Sequence, residues 1–300
     1  MTPQSSDTAA VEAIVASILQ DEGTHRTSAT STPDAAIVES LVDRFHGLAF
    51  PGFFGPRFDP SDAVSMVGAV VDDVVERLRP QVAAAFAYEA VDGGGLSPEE
   101  ARVRSVEVVR DFVAAIPAIR GMLGRDARAG FTRDPAVGHP DEAILCHPGL
   151  RALTVHRFAH QLHASGVPML PRMLAEVSHA RTGIDLHPGA SIGGGFFIDH
   201  GTGVVVGETT VIGEDCTLYQ GVTLGAKRFE READGAIRRG YRRHPTLEDE
   251  VTVYAGATIL GGKTVVGRGS VVSGGVFLTR SVPPNSLVAP PRLEIELRQR

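Results

Sequence analysis

A histidine and an aspartate 15 residues apart, Asp185 and His200, have the types and spacing that could do chemistry in this chain. An alcohol holds its proton too tightly to be a good nucleophile near neutral pH. A transfer to a hydroxyl therefore needs a base, and an imidazole titrating near neutrality suits that task. Such an imidazole needs an acceptor at its other ring nitrogen, to fix the tautomer and stabilise the imidazolium that forms, and an aspartate can supply it. Simpler roles remain open at this point. His200 could be a hydrogen-bonded corner histidine, Asp185 a cap at a junction, Asp134 a turn before Pro135, and Arg243 one more solvated member of the run Arg238, Arg239, Arg242.

Composition narrows what such a site could serve. The chain has 300 residues, 43% of them hydrophobic, enough to bury a core as one large domain or two ordinary ones. A formal charge of -7 and an isoelectric point near 5.9 argue against a surface that neutralises phosphate backbones or anionic lipid, so neither nucleic acid nor membrane is an expected partner. No stretch approaches the roughly 20 uninterrupted apolar residues of a bilayer span, and the N-terminus lacks a basic segment followed by an apolar one. A cytoplasmic protein is expected. Cys146 and Cys216 lie 70 residues apart in a chain too large to depend on one disulfide, so both are expected to be reduced and buried.

Two kinds of element must position these residues. Residues 1–35 are rich in Ser, Thr, Asp and Ala and read as a flexible segment, with a short helix possible over 8–20. From 36 to 183 apolar residues recur at helical spacing and predict an all-α domain. Helices are expected over 36–48, 61–90 with a break or kink at Pro80, 149–164 and 169–181, the last ending near Gly183. Another starts at Ser97-Pro98-Glu99-Glu100, a capping box with proline in the first turn, and Pro117 is expected to interrupt it.

After Gly183 the period changes from 3.6 to 6. Steps of six connect Leu186, Ile192 and Ile198; after a two-residue slip, Val206, Ile212, Leu218 and Leu224; after a long interruption, Leu247, Val253 and Ile259; and after a one-residue slip, Val266, Val272 and Leu278. All thirteen are aliphatic, and the positions four further on are mostly small or β-branched, with Phe196, Lys263 and Arg228 as exceptions. Six residues make one side of a triangular coil whose aliphatic side chain points inward, so 184–290 is expected to form a parallel β-helix of four or five coils. The expected architecture is α+β in two parts, with a tail over 291–300. His200 falls at the first slip, where the chain bulges, and Asp185 lies close to one coil before it. The charged interruption from Gly225 to Tyr241 is expected to project as a functional loop.

From about 134 to 285 these residues resemble the serine acetyltransferases of the hexapeptide-repeat superfamily. The matching segments are Asp134-Pro135-Ala136-Val137, Asp185-Leu186-His187-Pro188-Gly189-Ala190, Ile198-Asp199-His200-Gly201-Thr202-Gly203-Val204-Val205-Val206-Gly207-Glu208-Thr209, Gly221-Val222-Thr223-Leu224-Gly225, Arg243-His244-Pro245 and Ser281-Val282-Pro283-Pro284. The resemblance implies a helical domain followed by a left-handed parallel β-helix, assembled as homotrimers that often pair into hexamers. It implies transfer of acetyl from acetyl-CoA to L-serine, giving O-acetylserine for cysteine biosynthesis, with L-cysteine as feedback inhibitor. By the same resemblance His200 and Asp185 form the catalytic dyad, Asp134 and Asp199 meet the serine ammonium, and Arg243 and His244 hold its carboxylate and reacting end. Acetyl-CoA is expected between neighbouring β-helices. Backbone at Gly225, Ala226, Ala255 and Gly274 would meet the pantetheine, and Lys227, Lys263 or Arg268 the phosphates.

The rival readings are a transferase for another hydroxyl (phosphoserine, homoserine or a sugar), a zinc lyase of the carbonic anhydrase class, and a non-catalytic scaffold. No metal is expected, because the aspartate and histidine pairs match the transferase. The tail Leu293-Glu294-Ile295-Glu296-Leu297-Arg298-Gln299-Arg300 lacks the terminal isoleucine that family members insert into O-acetylserine sulfhydrylase, which argues against that partnership.

Overall fold

A computed structural model describes residues 5–20, 32–88 and 95–290. The described helices are α1 (Ser5–Gln20), α2 (Ala35–Ala49), α3 (Ala63–Ala87), α4 (Pro98–Arg133), α5 (Pro140–Cys146), α6 (Pro148–Ala164) and α7 (Leu170–Thr182). Local chemistry sets their ends. Asp34 caps α2 by accepting from Ala36 and Ile37 N–H, Ser97 and Glu100 close the capping box of α4, and Gly183, with φ 71°, ends α7 in the left-handed conformation.

Two helical expectations are corrected. Pro117 does not stop α4, which continues to Arg133; the proline costs one intrahelical bond, and the packing of Ile116, Ile119 and Leu123 into the core offsets it. Helix α5 was not anticipated, because seven residues are too few to display a period. Cys146 at its end is unpaired but exposed rather than buried; Cys216 is unpaired and buried. None of the described helices is long and apolar enough to cross a membrane.

Beyond Gly183 the described strands form three parallel faces. The first face stacks Asp185–Leu186, Val205–Val206, Thr223–Gly225, Thr258–Leu260 and Phe277–Leu278; the second stacks Ser191–Ile192, Val211–Ile212, Thr246–Leu247 and Val265–Val266. The third stacks Phe197–Asp199, Thr217–Tyr219, Thr252–Val253, Val271–Val272 and Leu287–Val288. Parallel pairing from coil to coil makes this the expected β-helix. All thirteen aliphatic positions are inside, none more than 8% exposed. The register reproduces both slips: Asp185 pairs with Val205, 20 residues on, Val205 with Thr223, 18 on, and Thr246 with Val265, 19 on. Where slips fall, Thr202 and Lys263 turn outward, and Val204 and Thr264 take the buried places. Thr223 pairs with Thr258, 35 residues on, so this coil carries 17 extra residues, the loop that interrupts the repeat.

The helical half has its own core around Phe45, Phe112 and Phe158, whereas Ala152 and Leu153 of α6 belong to the β-helix core. Arg157 of α6 binds Asp126 of α4 at 2.7 and 2.9 Å and reaches the Ile192 and Gly193 carbonyls at 3.1 and 2.8 Å, while Phe196 N–H donates to Asp126. A Cβ on Gly149 would overlap the Ile198 carbonyl, so glycine there lets the start of α6 lie against the third face. That contact brings the ends of α4 and α6 beside Asp199.

Candidate active site

The corner between the third and first faces carries Asp199 and His200. His200 takes φ 55°, a conformation L side chains rarely adopt, and its side chain is 73% exposed. Gly201 follows because a Cβ there would meet Ile184. Asp185 opens the first-face strand one coil below, and Gly203 N–H donates to Gly183 O at 2.8 Å between the two coils. In the isolated chain Asp185 bonds Arg172 at 3.2 Å, and His200 Nδ1 lies 3.8 Å from Asp199 Oδ1.

The end of α4 delivers Asp134 to this corner. Its neighbour Arg133 clamps α4 to the β-helix through the Gly195 and Cys216 carbonyls, Thr217 and Asp215. Asp134 accepts from Ala136 N–H at 2.9 Å and lies 3.1 Å from His147 Nε2. Tyr219 pairs with Asp199 one coil up and stacks on Tyr254 with ring centroids 4.9 Å apart. Burial raises the Tyr219 phenol, and the charges of Asp199 and Asp134 raise it further, so the three groups share one region.

Arg243 and His244 occupy a different corner, between the first and second faces. His244 is buried, with Nδ1 3.0 Å from Thr209 N and 2.9 Å from Thr209 Oγ1. A Cβ on Gly207 would overlap its ring. Burial first, and then the adjacent Arg243 charge, lower His244 to about 4, so it is neutral at pH 7 with Nδ1 accepting and the proton on Nε2. Arg243 forms an ion pair with Glu208, and its backbone N–H donates to Thr209 Oγ1 at 2.9 Å. Burial pushes Glu208 upward, but its bond to Arg243 outweighs this and holds the carboxyl below its ordinary value.

The sequence-predicted residues therefore fall into two sets. Asp134, Asp185, Asp199 and His200 share the first corner with Ala255 and Gly274, which stack higher on it with Gly275 N–H bonded to Ala255 O at 2.9 Å. Arg243 and His244 share the second with Gly225, Ala226, Lys227 and Lys263. One face of the prism, about 15 Å of extended chain, separates them. Glu208, Thr209, His147 and Tyr219 were not singled out from sequence. Their partners lie 13 to 35 residues away, and only the coil register reveals them.

Glu176, His179 and Asp185 are the one group among the described residues close enough to share a cation. Arg172 already bridges Glu176 and Asp185 there, supplying the positive charge itself. Burial pushes the Cys216 thiol up to about 11, which leaves it no thiolate character at neutral pH.

No family model matches the chain. It is 44% identical to the plasmid serine acetyltransferase of Synechococcus elongatus over 257 residues, 84% of this chain and 80% of that protein. It is 43% identical to a serine acetyltransferase of Mycobacterium tuberculosis over 173 residues, 58% of this chain and 69% of that one. Its structure matches that of serine acetyltransferase 1 from Entamoeba histolytica in complex with L-cysteine, with a TM-score of 0.73, 32% identity, and coverage of 94% and 97% of the two chains. Sequence and fold agree along most of the length, and the chain belongs to the serine acetyltransferase family.

Proposed function

We propose that this protein transfers the acetyl group of acetyl-CoA to the hydroxyl of L-serine, and that it does so in the cytoplasm as a homotrimer. The observation that carries the reading is the split between corners. One bears carboxylates suited to an ammonium, the other a guanidinium suited to a carboxylate, and a face of the prism stands between them. A three-fold assembly that sets the second corner of one copy against the first corner of the next would unite them around a zwitterion. Backbone at Ala255 and Gly274 from one copy and at Gly225 and Ala226 from the other would then flank the coenzyme arm, with Lys227 and Lys263 near its phosphates. The helical part 36–183 and the β-helix 184–290 act in this scheme as separate domains, the first supplying Asp134.

His200 takes the serine hydroxyl proton as the oxygen attacks the thioester carbonyl. The tetrahedral adduct collapses by breaking the carbon–sulfur bond, and the imidazolium returns the proton to the leaving thiolate. Asp185 steadies the charged imidazole once substrate and neighbour draw it from Arg172. Transfer is direct within a ternary complex. L-cysteine presents the same ammonium and carboxylate and competes for the pocket.

The test is an acceptor screen that follows thiol release from acetyl-CoA. L-serine is expected to support the fastest release, with homoserine, phosphoserine and sugars far slower. A faster rate with any of these would overturn the assignment.

A further inference from the structure

We propose that His147 is a positioning residue that fixes the Asp134 carboxylate for the acceptor's ammonium, an inference that rests on the assignment of Asp134 above. His147 stands at the N-cap of α6, yet its side chain makes no capping bond. The imidazole points instead to Asp134, with Nε2 3.1 Å from Oδ2. Ala136 N–H holds the other carboxylate oxygen at 2.9 Å, so both oxygens of Asp134 are anchored while further lone pairs stay available.

The ring itself has little freedom. It packs against Phe197 with centroids 5.7 Å apart, and a Cβ at Gly130 would lie 2.9 Å from its Nδ1, so any larger residue on α4 there would push it aside. The imidazole is thus wedged between the last turn of α4 and the strand Phe197–Asp199, which carries the other proposed ammonium partner. The pair is largely enclosed, its side chains 15% and 20% exposed.

A donor is needed at this spot. Asp134 is the C-cap of α4, where the unpaired carbonyls of the last turn repel a carboxylate, and an N–H aimed at Oδ2 opposes that repulsion. With Asp134 held in one rotamer, binding the ammonium does not have to order it.

Steady-state kinetics of the full-length protein test this with H147F, which keeps a ring against Phe197 but has no donor, H147Q, which restores a donor, D134N and the double variant. Losing a charge-assisted hydrogen bond is expected to raise the KM for serine about tenfold in H147F, with kcat and the KM for acetyl-CoA within about twofold of wild type. H147Q should recover most of the serine affinity, and H147F should add nothing in the D134N background. If H147F does not fold, Met in place of His147 repeats the comparison. A serine KM unchanged in H147F while D134N raises it, or two effects that simply multiply, would overturn the role of His147 alone. A wild-type serine KM in D134N would remove the ammonium assignment itself.

Discussion

His200 and His244 show how differently one residue type can be used. His200 is exposed on a backbone conformation that costs about 1–3 kcal/mol and persists only because the flanking coils over-determine it. His244 is buried, neutral and held as an acceptor by Thr209. Its lowered value has a consequence for stability. The unfolded chain takes up a proton on this ring below about 6.5, and the folded chain resists until about 4, so the ring's contribution is complete above 6.5 and lost as pH falls toward 4. Urea unfolding at pH 7, 5.5 and 4.5 is expected to show a shallower fall in stability for H244N than for wild type; identical slopes would contradict the buried, neutral assignment. His200 and Asp199 could be proposed from sequence because they sit in a continuous motif. His147 and Glu208 stayed hidden because their roles come from partners across helices and coils.

The β-helix was readable to the residue because an inward side chain every sixth position has no alternative packing, and even the slips of two and one residues recur in the register. The helices were readable except where proline and shortness mislead. Pro117 forbids one hydrogen bond, but a 36-residue helix packed on both sides absorbs that loss. What sequence does not reveal is the joint between the two halves. Asp126 and Arg157 are almost fully buried, and both also bond backbone of the first coil. Removing one partner strands the other charge, so D126A is expected to lose about 3–5 kcal/mol in urea unfolding. A loss below about 1 kcal/mol would mean the joint is held by packing alone.

At the scale of the whole molecule, the site is legible only in part from one chain. The motif residues were recognisable, but their separation onto two corners follows from how a triangular coil distributes its sequence, which no linear pattern displays. The proposed mechanism requires neighbouring copies to complete each other's sites, and complementation between inactive variants tests that requirement. The H200A and R243A variants, each assembled alone, are expected to lose nearly all turnover. When equal amounts are unfolded together and reassembled, one site in four should pair an intact His200 corner with an intact Arg243 corner, restoring about a quarter of wild-type activity. Mixed assemblies of confirmed composition that remain as inactive as either parent would contradict a site shared between copies.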